Sequence, residues 1–166
     1  MSNLVNYIPA GRSAITPSLI CRNAARAIEF YKSVFGATEV MRMTGPDGKI
    51  GHAELKIGNS LFFVTDEFPG HTAAPSPASL PSASLFLYVE DVDTTFNHAV
   101  KAGSTVKMPV EDQFWGDRFG SVTDPFGHNW GLATHVEDVA PAELERRAKE
   151  WTEKMAKSAK AAAPAD

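Results

Sequence analysis

Apolar and polar positions in the first half of the chain follow two different periods. Residues 15–22 read as an extended segment, and residues 24–35 place apolar side chains at helical spacing. Gly36 follows the helical segment, where a left-handed residue commonly ends a helix. Three further extended segments lead to Thr65. The first half therefore predicts the order strand, helix, strand, strand, strand.

The second half repeats this order. Residues 84–89 read as a strand, residues 92–102 as a helix that Asp91 or Asp93 caps, and three extended segments follow. Gly103 stands where Gly36 stands in the first half. The repeat lies in the order of elements and in the turn residues more than in residue identity. It indicates two structurally similar modules.

The fold predicted from these patterns is α+β, with two paired βαβββ modules that form a cup-shaped mixed sheet, plus a C-terminal helix. The expected organisation is an N-terminal extension (1–13), the first module (14–66), a connector rich in Pro, Ser and Ala (67–82), the second module (83–138), an amphipathic helix (139–160) and a frayed tail (161–166).

Charge and composition narrow the classes of partner. The chain has 166 residues, with 16 Lys and Arg against 20 Asp and Glu, which gives a net charge of −4. This balance opposes nucleic-acid binding, because phosphate recognition needs a basic face. No apolar segment approaches the roughly 20 residues of a membrane span. No secretion signal is visible, and the one cysteine, Cys21, excludes an internal disulfide, so a cytoplasmic location is expected.

Three segments resemble a known family. These are ITPSLICRNAARAIEFYKSVFGA, GPDGKIGHAELKIGNSLFFVTDE and FWGDRFGSVTDPFGHNWGLATHVED. They are similar to the vicinal oxygen chelate superfamily of glyoxalase I, bleomycin-resistance proteins, fosfomycin-resistance enzymes and extradiol dioxygenases, and most of all to its PhnB-like branch. The resemblance spans residues 14–138. It implies paired modules that curl into a cup, and a homodimer.

The resemblance also implies where a divalent metal ion would bind. Metalloenzymes of this superfamily use four side chains, and their positions correspond here to Thr16, Glu54, Ser84 and Gly131. Of these, Glu54 alone is a residue that binds divalent ions well. We therefore expect no standard metal site and predict no cofactor. A rearranged site, with His52 and Glu54 as two ligands, stays open as an alternative.

Strand alternation gives a candidate site on the third strand. Ile50, His52, Glu54 and Lys56 share one face, because residues two apart in a strand point the same way. His52 and Glu54 could form an acid–base pair or hold a polar group of a ligand. In the other interpretation, His52 lies at the rim and Glu54 pairs with a nearby Arg or Lys.

Aromatic residues supply the other candidates. Trp115 and Arg118 lie in the segment FWGDR, which suits a loop or strand edge that covers a ligand, although Trp115 could equally pack in a dimer interface and Arg118 could pair with Asp117. Alternation places Thr16, Ser84, Phe86 and Tyr88 toward the cup. The side on which His135 lies cannot be decided from the pattern.

These observations favour a protein that binds a small aromatic or apolar molecule in a homodimeric cup, without the standard metal and without catalysis. The expected ligand contacts are Glu54, His52, Trp115, Arg118, Thr16, Ser84, Phe86 and Tyr88. The alternative is a lyase, isomerase or dioxygenase that uses a rearranged metal site, or acid–base catalysis by Glu54 and His52. A third possibility is a cup filled by its own side chains.

Overall fold

The computed structural model describes residues 5–76 and 82–161. The first module contains β1 (Ser18–Cys21), α1 (Ala24–Phe35), β2 (Thr38–Thr44), β3 (Ile50–Ile57) and β4 (Ser60–Asp66). Its sheet has the order β1-β4-β3-β2. The pairing of β1 with β4 is parallel, and the other pairings are antiparallel.

The second module has the same topology. It contains β5 (Ser84–Tyr88), α2 (Val92–Lys101), β6 (Thr105–Asp112), β7 (Asp117–Thr123) and β8 (Asn129–His135), and α3 (Pro141–Ala161) follows it. The sheet order is β5-β8-β7-β6, with β5 parallel to β8. The α+β fold of two βαβββ modules and a C-terminal helix is confirmed. Parts of the predicted extension, connector and tail, residues 1–4, 77–81 and 162–166, lie outside the described residues.

Both module helices begin and end as their sequences dictate. The side chain of Asn23 caps α1 by accepting a hydrogen bond from the backbone N–H of Arg26, at 3.0 Å. Gly36 then ends the helix with a φ of 66°, a conformation that favours glycine. Asp91 caps α2 in the same way by accepting from the N–H of Thr94. No helix of the described residues is long and apolar enough to cross a bilayer.

One hydrophobic core joins the two modules. The buried faces of α1 and α2 pack on one face of each sheet, and residues of both modules belong to the same cluster. Trp130 of β8 contacts two residues of α1, with ring centroids 4.6 Å from Phe35 and 5.4 Å from Tyr31. Helices α1 and α2 therefore cover one face of each sheet and leave the opposite face, here called the open face, uncovered by either of them.

The carboxylate of Asp124 is the polar centre of this core. Its Oδ2 accepts hydrogen bonds from the Tyr31 hydroxyl (2.8 Å) and from Nε1 of Trp130 (3.0 Å). Its Oδ1 accepts from the backbone N–H groups of Phe126 and His128, both at 2.9 Å. Asp124 thus shapes the turn between β7 and β8 and also ties that turn to α1 of the other module.

His128 makes a second link between the modules. Its Nε2 lies 3.1 Å from the carbonyl oxygen of Ile20 in β1 and 3.7 Å from the sulfur of Cys21. Burial, together with the nearby charge of Asp124, raises the pKa of the Cys21 thiol to about 12. Because the thiolate is the nucleophilic form, Cys21 is an inert core residue.

The first strand is shorter than the sequence predicts. It begins at Ser18, whereas the apolar pattern starts at Ile15. Pro17 has no N–H to donate to the ladder, although its carbonyl accepts from the N–H of Phe63 at 2.8 Å. Thr16 therefore precedes the strand and does not face the cup from within it.

A β-bulge changes the direction of Ile50. Thr44 pairs with Ile50 and Met43 pairs with His52, so Gly51 is an extra residue on β3. Ile50 is accordingly buried in the hydrophobic core and does not share a face with His52, which corrects the simple alternation drawn from the sequence. Beyond the bulge the alternation holds.

We expect Tyr31→Phe to lower the free energy of unfolding by about 1–2 kcal/mol, because it leaves a buried carboxylate oxygen with one donor fewer. Urea unfolding followed by fluorescence measures this loss. Tyr7→Phe is the matched control, since Tyr7 is 91% exposed and its substitution should leave stability unchanged. Equal stability of the two variants would contradict the role given to Asp124.

Candidate functional site

The open face of the first sheet carries a charged cluster, here called the glutamate cluster: Arg12, His52, Glu54 and Phe63. Nη2 of Arg12 lies 2.8 Å from Oε1 and 2.7 Å from Oε2 of Glu54. His52 Nε2 lies 3.2 Å from Oε1. The guanidinium of Arg12 also lies over the ring of Phe63, 5.8 Å from its centroid. The Glu54 side chain is 7% exposed, so this carboxylate is nearly enclosed by its partners.

The partners of Glu54 determine its protonation state. The hydrogen bond from Arg12, assisted by that from His52, outweighs the cost of burial and lowers the pKa of Glu54. Glu54 is thus ionised at neutral pH. A general base works best when its pKa lies near the working pH, so a carboxylate held this way is a weak base. His52 and Glu54 do share a face, and the predicted pairing of Glu54 with a nearby Arg is present.

The open face of the second sheet carries a different cluster, here called the aspartate cluster: Tyr88, Trp115, Asp117 and His135. Oδ2 of Asp117 accepts hydrogen bonds from the Tyr88 hydroxyl (3.0 Å) and from Nε1 of Trp115 (2.9 Å). Nδ1 of His135 lies 2.8 Å from Oδ1 of Asp117. His135 therefore lies on the open face, which settles its direction.

Asp117 is a residue that the sequence analysis did not select. Burial alone would raise its pKa, but the hydrogen bonds from His135, Tyr88 and Trp115 outweigh this cost, so the pKa of Asp117 is lowered. The signal that could have found it is its place at the start of a strand, two residues after Trp115 and directly opposite His135 in the ladder.

Three aromatic rings lie together on the second open face. We call Phe86, Tyr88 and Phe119 the aromatic platform. Phe86 and Phe119 are stacked, with centroids 5.3 Å apart and planes 9° apart, and Tyr88 lies 5.1 Å from Phe86. Phe86 is 52% exposed and Tyr88 is 60% exposed. Large apolar rings are thus held in a fixed arrangement and remain open to a binding partner.

The platform depends on Gly131. A Cβ at this position would lie 2.8 Å from Cε2 of Phe119, closer than real side chains approach, and 3.1 Å from Cδ2 of Phe86. The absence of a side chain at residue 131 therefore leaves the space in which the two rings stack. This is the position that corresponds to the fourth metal ligand in the resemblance, and a carboxylate side chain there would have to displace the rings.

The repeat corrects the placement of the second metal position. Phe63 of β4 pairs with Glu54, and Gly131 of β8 pairs with Ser121. Strands β3 and β4 of the first module correspond to β7 and β8 of the second. Phe63 is therefore equivalent to Gly131, and Glu54 to Ser121. The residue of the first module that is equivalent to Gly131 is therefore Phe63, whereas the motif in the sequence placed the second metal position at Glu54.

The residues at the four positions do not fit a divalent cation. Thr16 and Ser84 offer neutral hydroxyl groups, Phe63 a phenyl ring and Gly131 no side chain, which is a poor donor set for such an ion. Within residues 5–76 and 82–161, no three His, Cys, Asp or Glu side chains are grouped as they would need to be to hold a metal.

Arg118 lies outside the site, contrary to the expectation that it grips a ligand in the cup. It follows Asp117 in β7 and therefore points to the helix face. There it donates to both carboxylate oxygens of Asp93, at 2.6 and 2.8 Å, and to Asp112 at 3.0 Å. The suggested pair with Asp117 does not form, because the two side chains point to opposite faces of the sheet.

A cavity of about 690 Å³ lies between the edge strands β1 and β5. Ser84, Phe86 and Tyr88 line it, together with residues of β1 and of the β3–β4 hairpin. Tyr88 and Trp115 also meet in the aspartate cluster. His52 and Glu54 lie in the glutamate cluster, and neither they nor Thr16 line the cavity. Of the expected contacts, Ser84, Phe86, Tyr88 and Trp115 thus belong to the second module, His52 and Glu54 lie on the first sheet, and Thr16 and Arg118 belong to neither place.

The chain belongs to the Glyoxalase/Bleomycin resistance protein/Dioxygenase superfamily, whose family model matches residues 14–132. The resemblance seen in the sequence is thereby confirmed. An uncharacterized protein of Mycobacterium tuberculosis, Rv0887c, is 41% identical over 136 residues, which cover 80% of each chain.

Solved structures share the fold. Protein PA1353 from Pseudomonas aeruginosa is 26% identical, with a TM-score of 0.64, and the match covers 76% of this chain and 100% of that one. A PhnB protein from Bacillus cereus is 24% identical, with a TM-score of 0.60 and coverage of 74% and 99%.

We expect His135 to titrate above its ordinary pKa of 6.5, because the hydrogen bonds to Asp117 and Asp138 favour its charged form. The sign follows from the raised folded-state pKa. The stability that His135 contributes is fully present below its ordinary pKa and is lost as the pH rises through the raised value. NMR titration of the imidazole measures the pKa.

The free energy of unfolding is measured for the parent and for His135→Gln from mildly acidic to mildly alkaline pH. The difference in this free energy between the two proteins should shrink as the pH rises. Asp117→Asn should return the pKa of His135 toward 6.5. A parent pKa below 6.5 would overturn this expectation.

Proposed function

We propose that this protein binds a small aromatic or largely apolar molecule on the aromatic platform, without the divalent metal of its family and without catalysis. The observation that supports this is the exposed stack of Phe86 and Phe119 above Gly131. Exposed apolar surface in a concave site commonly marks a place where a ligand binds. A flat ring of the ligand would extend the stack that the two side chains begin.

The neighbouring cavity has a size and lining that suit such a ligand. Its volume of about 690 Å³ lies within the range of small-molecule sites, roughly 300–1,000 Å³. The polar groups nearby are few and fixed. The hydroxyl of Tyr88 donates to Asp117, so its oxygen is free to accept a hydrogen bond from a ligand. A ligand with an aromatic ring and one hydrogen-bond donor would match both features.

A homodimer is part of this proposal. Apolar side chains on the outer strand of the second sheet are exposed, among them Val106 and Met108 of β6. A second copy of the chain would cover them and enclose the platform, as the family resemblance implies. Sedimentation of the purified protein tests the dimer.

We also propose a cytoplasmic location, which a buried thiol outside any disulfide suits.

The catalytic alternative has less support. Acid–base catalysis by Glu54 would need a carboxylate with a raised pKa, and the contacts with Arg12 and His52 lower it. A metal-dependent lyase, isomerase or dioxygenase with a rearranged site would need more ligands than His52 and Glu54, and among the described residues no third His, Cys, Asp or Glu is grouped with them. The geometry therefore favours binding over turnover.

Gly131→Ala should weaken ligand binding about tenfold, because the added methyl group separates the rings that the ligand stacks on. A thermal-shift screen with aromatic metabolites and antibiotics finds the ligands, and titration gives their affinities. Each variant is compared with its own unfolding temperature, since overpacking can cost about 1–3 kcal/mol of stability. Phe86→Ala should weaken the same ligands.

Gly51→Ala is the matched control, because a Cβ there meets only the carbonyl oxygen of Met43, at 4.0 Å. Arg118→Ala is a second control, outside the site. Both should bind as the parent does. If Gly131→Ala and Phe86→Ala bind every hit as tightly as the parent, the platform is not the binding site.

A further inference from the structure

The glutamate cluster has the composition of a binding site for an organic cation. An ionised carboxylate and the face of an aromatic ring lie side by side, since Glu54 and Phe63 are direct partners in the β3–β4 ladder. Carboxylates bind guanidinium groups through paired hydrogen bonds, and aromatic faces attract the same groups. In this structure the cation is the chain's own Arg12, which makes both contacts.

Arg12 reaches this place from an exposed segment. Residues 5–12 precede the region that the family model matches, which begins at residue 14. Val5 is 89% exposed and Tyr7 is 91% exposed. Among the described residues, the hydrogen bonds that join this segment to the sheet are those of Arg12 to Glu54. A segment whose hydrogen bonds to the sheet come from one side chain can be released by a competitor for that side chain's partner.

The two enclosed carboxylates, Asp117 and Glu54, differ in where their hydrogen-bond partners come from. Asp117 receives its hydrogen bonds from Tyr88, Trp115 and His135. Tyr88 belongs to β5, His135 belongs to β8, and Trp115 lies two residues before β7. The sheet itself therefore holds the partners of Asp117 in place. Glu54 receives its shortest contacts from outside the sheet. The partners of Asp117 are thus part of the folded sheet. The main partner of Glu54, Arg12, can leave and be replaced.

We propose that Arg12 occupies the place of a ligand, and that the glutamate cluster binds a small molecule bearing a guanidinium or amidinium group, which displaces residues 5–12. Met41 and Met43 pair with Glu54 and His52 in the ladder and are partly exposed, so they offer a polarizable surface beside the cation. The ligand is therefore a planar cation with an apolar body. This site lies on the first sheet and does not depend on the aromatic platform.

Benzamidine is a suitable probe, because it joins an amidinium to an aromatic ring, and benzamide is its neutral counterpart. Isothermal titration calorimetry compares the parent, Arg12→Ala, and the double variant Arg12→Ala with Glu54→Gln. Arg12→Ala should bind benzamidine at least about tenfold more tightly than the parent, since it removes the internal competitor. The double variant should lose this binding, and benzamide should bind to none of the three.

Arg118→Ala is the matched control, because Arg118 also pairs with carboxylates but lies on the helix face. It should bind benzamidine as the parent does. A second measurement needs no variant: the NMR signal of the Arg12 side-chain N–H should move toward that of a solvent-exposed arginine when benzamidine is added to the parent.

Three results would overturn the proposal: equal affinity of the parent and Arg12→Ala, benzamidine binding that survives Glu54→Gln, or benzamide binding as tight as benzamidine binding. The outcome is separable from that of the aromatic platform. Gly131→Ala should not change benzamidine affinity, and loss of binding in Gly131→Ala together with retention in Glu54→Gln would place benzamidine on the platform.

Discussion

The hydrogen bond from the Tyr31 hydroxyl to Asp124 connects an α-helix of one module to a turn of the other. The same carboxylate accepts from Trp130 and from two backbone N–H groups of its own turn. Burying a carboxylate is costly unless such partners are present, so the packing of the two modules is favoured where it brings the Tyr31 hydroxyl to Asp124. This arrangement brings the edge strands β1 and β5 to either side of the cavity.

The same requirement explains the two open faces. Each sheet presents a carboxylate that is almost enclosed, Glu54 on the first and Asp117 on the second, and each must be compensated. The second sheet supplies a phenol, an indole and an imidazole from its own strands and the adjoining loop. The first sheet supplies one imidazole and relies on a guanidinium from a segment outside the sheet. Two modules of equal topology have thus become chemically different sites.

Most of the fold could be predicted from the sequence, because the period of apolar positions and the caps Asn23, Asp91 and Gly36 are local signals. The facing of His52 and Glu54 was predictable for the same reason. The direction of Ile50 was not, since a bulge at Gly51 interrupts the alternation. Arg118 was wrongly placed in the cup because the alternation was not applied to the first residues of β7, where Asp117 takes the open face and Arg118 the helix face.

Other parts of the site depend on contacts between residues distant in sequence. Nothing near Arg12 in the chain indicates that its partner is Glu54, 42 residues later. The stack of Phe86 and Phe119 likewise depends on β5, β7 and β8 meeting at one place. Such contacts follow from packing, and no periodicity reports them.

Gly131 shows how one position can change the chemistry of a whole site. Where a carboxylate at this position would attract a cation, the absence of a side chain leaves space that Phe119 and Phe86 fill with their rings. The second open face thereby becomes suited to apolar rings. Its equivalent on the first sheet, Phe63, keeps a ring but lies beside the ionised Glu54, so the same aromatic surface there attracts positive charge. The difference between the two sites therefore follows from which side chain lies next to the ring.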